Sequence, residues 1–213
     1  MDKTVLISMF VTFVTSNEVL RYEPQNSIPV MQKPAFCNNL DCPEFTVVKS
    51  TKEYEVRDYV DTDWVSTNQL NMEYRKASTT NFMKLFRYIS GQNDKKQKVA
   101  MTCPVVTRII PGQGPACESN FTMSFFVSPD QKPAPKPTNP EVFLHSVPKF
   151  RAYVRQFSGW AMDYPVWRDE AVKLGEALTK DGLEFVTETW WTAGYDSPFK
   201  VLNRHNEVWF LAK

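Results

Sequence analysis

Histidine is almost missing from this chain, with two among 213 residues, and glycine is scarce at seven. His145 and His205 alone cannot form a His-Glu-x-x-His zinc site or a multi-histidine metal centre. The few glycines leave no Gly-rich phosphate loop and no nucleophile elbow, and no Ser/His/Asp arrangement is visible. Charge of one sign is lacking too: 25 basic residues against 24 acidic ones leave a net charge of +1. Nothing therefore draws the chain electrostatically onto nucleic acid or an anionic membrane, and no basic run interleaved with aromatics occurs. No apolar run reaches the ~20 residues that a membrane-spanning helix needs. The four cysteines include no Cys-x-x-Cys-His for covalent haem attachment. They also form no zinc signature, because Cys37 and Cys42 have no matching pair downstream.

What is present is apolar and aromatic material, 42% and 14% of the residues, enough for one substantial core. The first sixteen residues stand apart. Lys3 precedes an apolar stretch from Val5 to Val14, and Val14 and Ser16 fit the small-residue positions of a cleavage site. Residues 1–16 thus read as a secretory signal peptide, against the alternative of a buried N-terminal strand in a cytoplasmic protein. Residues 17–43, with Pro24, Pro29, Pro34 and Pro43, read as an irregular extension, and the folded domain is expected over 44–213. In an oxidising compartment the cysteines would pair as Cys37–Cys42 and Cys103–Cys117, though four cysteines permit three pairings. Asn120-Phe121-Thr122 is a glycosylation sequon that matters only if the chain is secreted.

Within the domain, strands are expected at Phe45–Ser50, Tyr54–Tyr59 and Trp64–Leu70, followed by a helix over Met72–Ser90 that Gly91 stops. Further strands are expected at Lys98–Ile110 and Phe121–Val127, with Pro104 marking a bulge or an edge, before a proline-rich loop. The second half repeats the plan: strands at Val142–Val147 and Phe150–Phe157, then a helix over Asp163–Lys180 with Asp163 as N-cap and Pro165 in its first turn. Strands at Phe185–Trp191 and Glu207–Leu211 close the chain. Two such halves predict an α+β domain whose antiparallel sheet curls into a barrel with helices outside.

The two helices differ. Trp167, Ala171, Leu174 and Leu178 form one narrow stripe, as packing on a sheet requires. The first helix carries more: Tyr74, Ser78, Phe82, Leu85 and Ile89 face one way, while Thr79, Met83 and Phe86 widen the apolar arc to about half the circumference, edged by Arg87. That surplus either packs under a loop or covers a ligand. Between the last two strands, a turn-rich loop puts Tyr195 and Phe199 beside Lys200, an apolar plate with a positive rim suited to a flat amphipathic anion. The bland reading of the same loop is an ordinary hairpin with core aromatics and solvated charges. Asp61 and Asp63 are paired carboxylates but read as an exposed turn.

Several stretches, in order over about residues 43–213, carry a resemblance. They include Cys42-Pro43-Glu44-Phe45, Tyr54-Glu55-Val56-Arg57, Trp64-Val65-Ser66-Thr67, Tyr88-Ile89-Ser90-Gly91-Gln92-Asn93 and Met101-Thr102-Cys103-Pro104-Val105. Thr192-Ala193-Gly194-Tyr195 and Asn203-Arg204-His205-Asn206-Glu207-Val208-Trp209 complete the set. Together they resemble the SOUL haem-binding family. The resemblance implies a distorted antiparallel β-barrel flanked by two helices and built from two similar halves. It also implies a non-enzymatic binder of haem or another tetrapyrrole, acting as carrier, buffer or scavenger. The ligand would lie between the first helix, at Thr79, Phe82, Phe86 and Arg87, and the last loop, at Tyr195, Phe199 and Lys200. Some family members carry a histidine where this chain has Asp58; His145 reads as structural and His205 as solvated, so the expectation is a non-histidine site or no iron ligation, with Met83 or Tyr195 the side chains able to approach an iron. The partner expected is haem or a porphyrin, with no nucleic acid and no membrane span. A competing reading is a small-molecule sensor or protein-interaction module that uses the same groove without haem. A hydrolase-like activity is a third, which no residue set specifies.

Overall fold

Strand and helix alternate as the periodicity demands, in a computed structural model that describes residues 33–114 and 116–213. The expected signal segment and residues 17–32 lie outside the described residues. Five strands and a helix come first: β1 Phe45–Ser50, β2 Glu55–Tyr59, β3 Thr62–Asn71, α1 Tyr74–Ile89, β4 Val105–Ile110 and β5 Ser119–Val127. Then follow β6 Val142–Val147, β7 Phe150–Phe157, α2 Tyr164–Lys180, β8 Trp190–Gly194 and β9 Asn206–Leu211. All nine strands form one sheet in the order β1-β2-β7-β9-β8-β4-β5-β3-β6, antiparallel throughout and strongly curled into a half-barrel.

That order is a palindrome about the β8–β4 pair. Setting β1 aside, β4, β5, β3 and β6 on one side correspond to β8, β9, β7 and β2 on the other. Each half therefore lends its first strand to the other half: β2 pairs with β7, and β6 with β3.

Two expected strands are shorter than their apolar runs. Residues 98–104 form a connection in which Cys103 N–H donates to Asp41 O at 2.9 Å, and β4 begins only after Pro104, which has no N–H to give a ladder. Phe185 makes only an isolated bridge to Ala212, and β8 runs from Trp190 to Gly194. Helix α2 buries the stripe expected of it, Trp167, Ala171, Leu174 and Leu178. Asp163 stands at its N-cap position without a side-chain cap bond. Helix α1 buries Ala77, Asn81, Leu85, Tyr88 and Ile89, a face that shares Leu85 and Ile89 with the expected one but is rotated part of a turn from it. The apolar count missed Asn81, which enters the core with its Nδ2 donating to Phe121 O at 2.8 Å while its Oδ1 has no partner among the described residues.

The core has two sides. Against the helices lie Tyr153, Trp190, Val208 and Phe210 under α2, and Val65, Met123 and Phe125 under α1. The other side is concave, since residues of β6 and β7, far apart in the sheet order, line one hollow there. Part of it is filled by the segment before β1: Phe36, Cys37, Leu40, Cys42 and Phe45 pack on Tyr59, Trp64, Phe126 and Trp209.

Candidate functional site

The outer side of α1 is where apolar surface faces solvent. Phe86 is 45% exposed, and its ring stacks on that of Phe82 at 5.9 Å; Phe82 is half-buried and meets Phe125 edge-on at 5.5 Å. Thr79 is exposed and donates its hydroxyl back to Arg75 O at 2.9 Å. Arg87 is exposed in the last turn and makes no ion pair among the described residues. Val105 belongs to the same apolar cluster as Phe82 and Leu85, and it is the cross-strand partner of Gly194, which ends β8. A Cβ added at Gly194 would meet nothing within 4 Å. By strand alternation that open space lies on the helix side, one strand over from the α1 cluster.

The loop between β8 and β9 presents Phe199, 89% exposed, together with Val201 and Leu202. Its shape is held from beneath. Arg204 donates to three loop carbonyls, Lys200 O at 2.7 Å, Ser197 O at 2.8 Å and Asp196 O at 3.1 Å. Asp196 accepts from His205 N–H at 2.5 Å and pairs with Lys200 Nζ at 2.6 Å. Burial alone would raise the Asp196 carboxyl, but Lys200 and the His205 N–H outweigh it and hold it below its usual value. Lys200 is thus a tethered cation, and Arg87 a free one.

Tyr195 does not share the loop's exposure. It is 5% exposed, and its hydroxyl donates to Glu207 Oε2 at 2.8 Å. Glu207 also accepts from Trp209 Nε1 at 2.8 Å, pairs with Arg57 Nη1 at 3.0 Å and meets His205 Nε2 at 2.7 Å. Arg57 is fully buried, lies 4.3 Å from the centre of the Phe45 ring, and donates to Glu55 at 2.8 Å. Burial pulls the Arg57 guanidinium down, and the Glu207 carboxylate more than restores it; the Glu207 carboxyl, pushed up by burial, is held below its ordinary value by Arg57 and His205. Sequence reasoning missed this network because a charge that alternates with apolar residues, as Arg57 does with Tyr54 and Val56, has the pattern of a strand's solvent face. The available signal was a charge at an inward strand position in both Tyr54-Glu55-Val56-Arg57 and Asn206-Glu207-Val208-Trp209.

His205 corrects the expectation of a solvated turn: its ring stacks on Phe36 at 4.0 Å, because the segment before β1 folds over the loop. His145 is structural as read, with Nε2 2.8 Å from Ser66 Oγ, and burial lowers its pKa. Asp58 forms a two-pronged pair with Arg151, at 2.6 and 2.8 Å. Asp61 accepts from Lys149 N–H at 2.6 Å, and Asp63, inside β3, pairs with Lys132 at 2.5 Å. The Cys37–Cys42 disulfide is formed, but the expected Cys103–Cys117 bond is not. Cys103 precedes β4 and Cys117 precedes β5, so the antiparallel hairpin puts them at opposite ends. Cys103 instead lies buried with its sulfur 3.2 Å from that of Cys42. The three sulfurs, all within 4.8 Å, resemble a metal-ligand set, but two of them are consumed by the disulfide.

Two swapped strand-helix-strand repeats and one curled sheet define a duplicated α+β module. The description "SOUL heme-binding protein" matches residues 40–211. Heme-binding protein 2 of Homo sapiens is 38% identical over 161 residues, covering 75% of this chain and 78% of its own. Heme-binding protein 1 of Xenopus tropicalis is 30% identical over 159 residues, covering 74% and 83%. Among solved structures, the EcmrR C-terminal domain superposes with a TM-score of 0.58 at 10% identity, covering 76% of this chain and 97% of that one. A hydrolase from Listeria innocua superposes at 0.50 with 10% identity, covering 78% and 94%; both likenesses concern the fold alone. The chain belongs to the SOUL heme-binding family.

Proposed function

We propose that the protein binds haem or a related tetrapyrrole non-covalently and without catalysis, as a carrier, buffer or scavenger, on the surface shared by α1 and the β8–β9 loop. The observation that carries this reading is exposed aromatic surface at Phe86, next to Arg87, and at Phe199, next to Lys200, with open space over Gly194 at the end of β8. A tetrapyrrole supplies two apolar faces and anionic propionates. Phe82, Phe86 and Phe199 would cover a face; Arg87 and Lys200 would meet the carboxylates by charge-assisted hydrogen bonds, with Thr79 at the helix edge. Tyr195 acts one layer down, anchoring the loop to Glu207. Both histidines are engaged elsewhere, which supports retention through face and propionates rather than through an imidazole. A few aromatic contacts at about 1.5–3 kcal/mol each, less the cost of association, give affinity on the order of micromolar.

Titration with haemin, protoporphyrin and an unrelated apolar dye tests the reading. Phe86→Ala is expected to weaken tetrapyrrole binding about tenfold, a loss of ~1.4 kcal/mol. Gly194→Leu, which fills the open space at a residue without positive φ, is expected to weaken it as much. Equal binding of all three ligands, or indifference to both substitutions, would remove the tetrapyrrole reading. Outward display of Phe199, Val201 and Leu202 favours a second reading, a protein-interaction module whose partner buries that apolar knuckle. A secreted location accompanies the main proposal: the Cys37–Cys42 disulfide supports an oxidising compartment. Mass spectrometry of the mature N-terminus tests it.

A further inference from the structure

The concave face of the sheet holds a hollow of about 610 Å3 that the α1 surface and the β8–β9 loop leave unused. Its size lies within the roughly 300–1,000 Å3 of small-molecule sites. A row of cross-strand partners crosses its floor: Trp209 opposes Trp191, Trp191 opposes Arg108, Arg108 opposes Thr122, and Thr122 opposes Asn68. Arg108 is exposed into this hollow, and no carboxylate is among the residues lining it. His145, whose pKa burial lowers, adds no positive charge at neutral pH.

Among the donors on that floor without a partner in the described residues are the Arg108 guanidinium and the Trp191 indole N–H. The contrast with the other two indoles that line the hollow is direct. Trp64 Nε1 donates to Thr62 Oγ1 at 2.8 Å, and Trp209 Nε1 to Glu207 Oε2 at 2.8 Å. An uncompensated cation beside a free indole donor, walled by Trp64, Trp209 and Phe150, calls for an anion with a flat apolar body. One cation matches one anionic group, unlike the paired propionates of a tetrapyrrole.

We propose that this hollow is a second binding site, separate from the tetrapyrrole surface, for an aromatic monoanion such as an aryl carboxylate or sulfonate, held by Arg108 and the Trp191 N–H. The test uses the full chain with 1-anilinonaphthalene-8-sulfonate and its uncharged relative N-phenyl-1-naphthylamine, read by dye fluorescence and tryptophan quenching. One sulfonate is expected to bind per chain. Arg108→Gln should weaken it about tenfold or more while changing the uncharged dye by less than about threefold. Arg108→Lys should restore part of the loss, and Trp191→Leu should weaken both dyes. Phe86→Ala should leave both unchanged, and haemin binding should survive Arg108→Gln. The proposal is overturned if Arg108→Gln leaves sulfonate affinity within twofold, or if Phe86→Ala abolishes it. Should Arg108→Gln lose its far-UV dichroism, Arg108→Lys and Trp191→Leu decide: sulfonate affinity unchanged in both overturns the site.

Discussion

Glu207 is the residue on which the buried polar interior turns, because one carboxylate serves Arg57, Tyr195, Trp209 and His205 at once. Glu207→Gln leaves Arg57 with Glu55 as its one carboxylate partner and is expected to cost about 3 kcal/mol, measured by urea unfolding at pH 7. The folded carboxyl binds its proton less tightly than an unfolded glutamate, whose pKa is ~4.3. Its contribution is therefore complete above that value and lost as pH falls through the lower folded value, so the variant should lose less stability than the native chain between pH 7 and pH 3. Cys103 offers a second check at this scale. Burial pushes its thiol up to about 12, whereas Cys117 is exposed. Iodoacetamide at pH 8 should label Cys117 and spare Cys103 until the protein is unfolded; labelling of Cys103 at an equal rate would contradict the packing.

At the scale of elements, α1 has two apolar faces, an inward one that packs the core and an outward one that the proposal gives to the ligand. Leu85 is wholly buried against β3 and β5, so Leu85→Ala should cost roughly 2–5 kcal/mol. Phe86, one residue on, points outward, so Phe86→Ala should change stability by less than about 1 kcal/mol while weakening tetrapyrrole binding; thermal melts and titration together separate these duties. The loop has a comparable division. Lys200 is tied to Asp196 while Arg87 is free, and breaking the Lys200–Asp196 pair offsets part of any new contact. Arg87→Gln is therefore expected to weaken haemin binding more than Lys200→Ala, and the reverse order would show that the loop reorganises around its ligand. The width of α1's apolar arc made its outward apolar surplus at Met83 and Phe86 readable in advance. Which half of the arc turned inward was not readable, because Asn81, a polar residue, faces the core.

Across the whole molecule, the exchange of β2 and β6 between the halves makes one folding unit of two similar sequences. A fragment ending near residue 139 would lack β7 beside β2 and β6 beside β3, and a fragment starting there would lack β2 beside β7 and β3 beside β6. Each expressed alone is expected to show neither a cooperative melt nor dispersed amide resonances, and mixing them should restore both. The repeat itself was legible as strands, a helix and a strand pair occurring twice. The exchange was not, since period-two alternation places residues on faces and says nothing about which strand lies alongside.

What the sequence determined alone was local and compositional. Apolar spacing set two helices and most strands, proline and glycine set where they stop, and the string of motifs set the family. It also singled out the outward aromatics of α1 and the exposed tip at Phe199, because surplus apolar surface on a short element shows in the order of residues. Only the tertiary structure decided that Tyr195 and His205 are internal supports, that Cys103 sits by Cys42, and that Arg57 meets Glu207 across 150 positions. Each of those depends on contacts between segments distant along the chain, and it is the curl of the sheet that brings them together and turns Arg108 and three tryptophans toward one hollow.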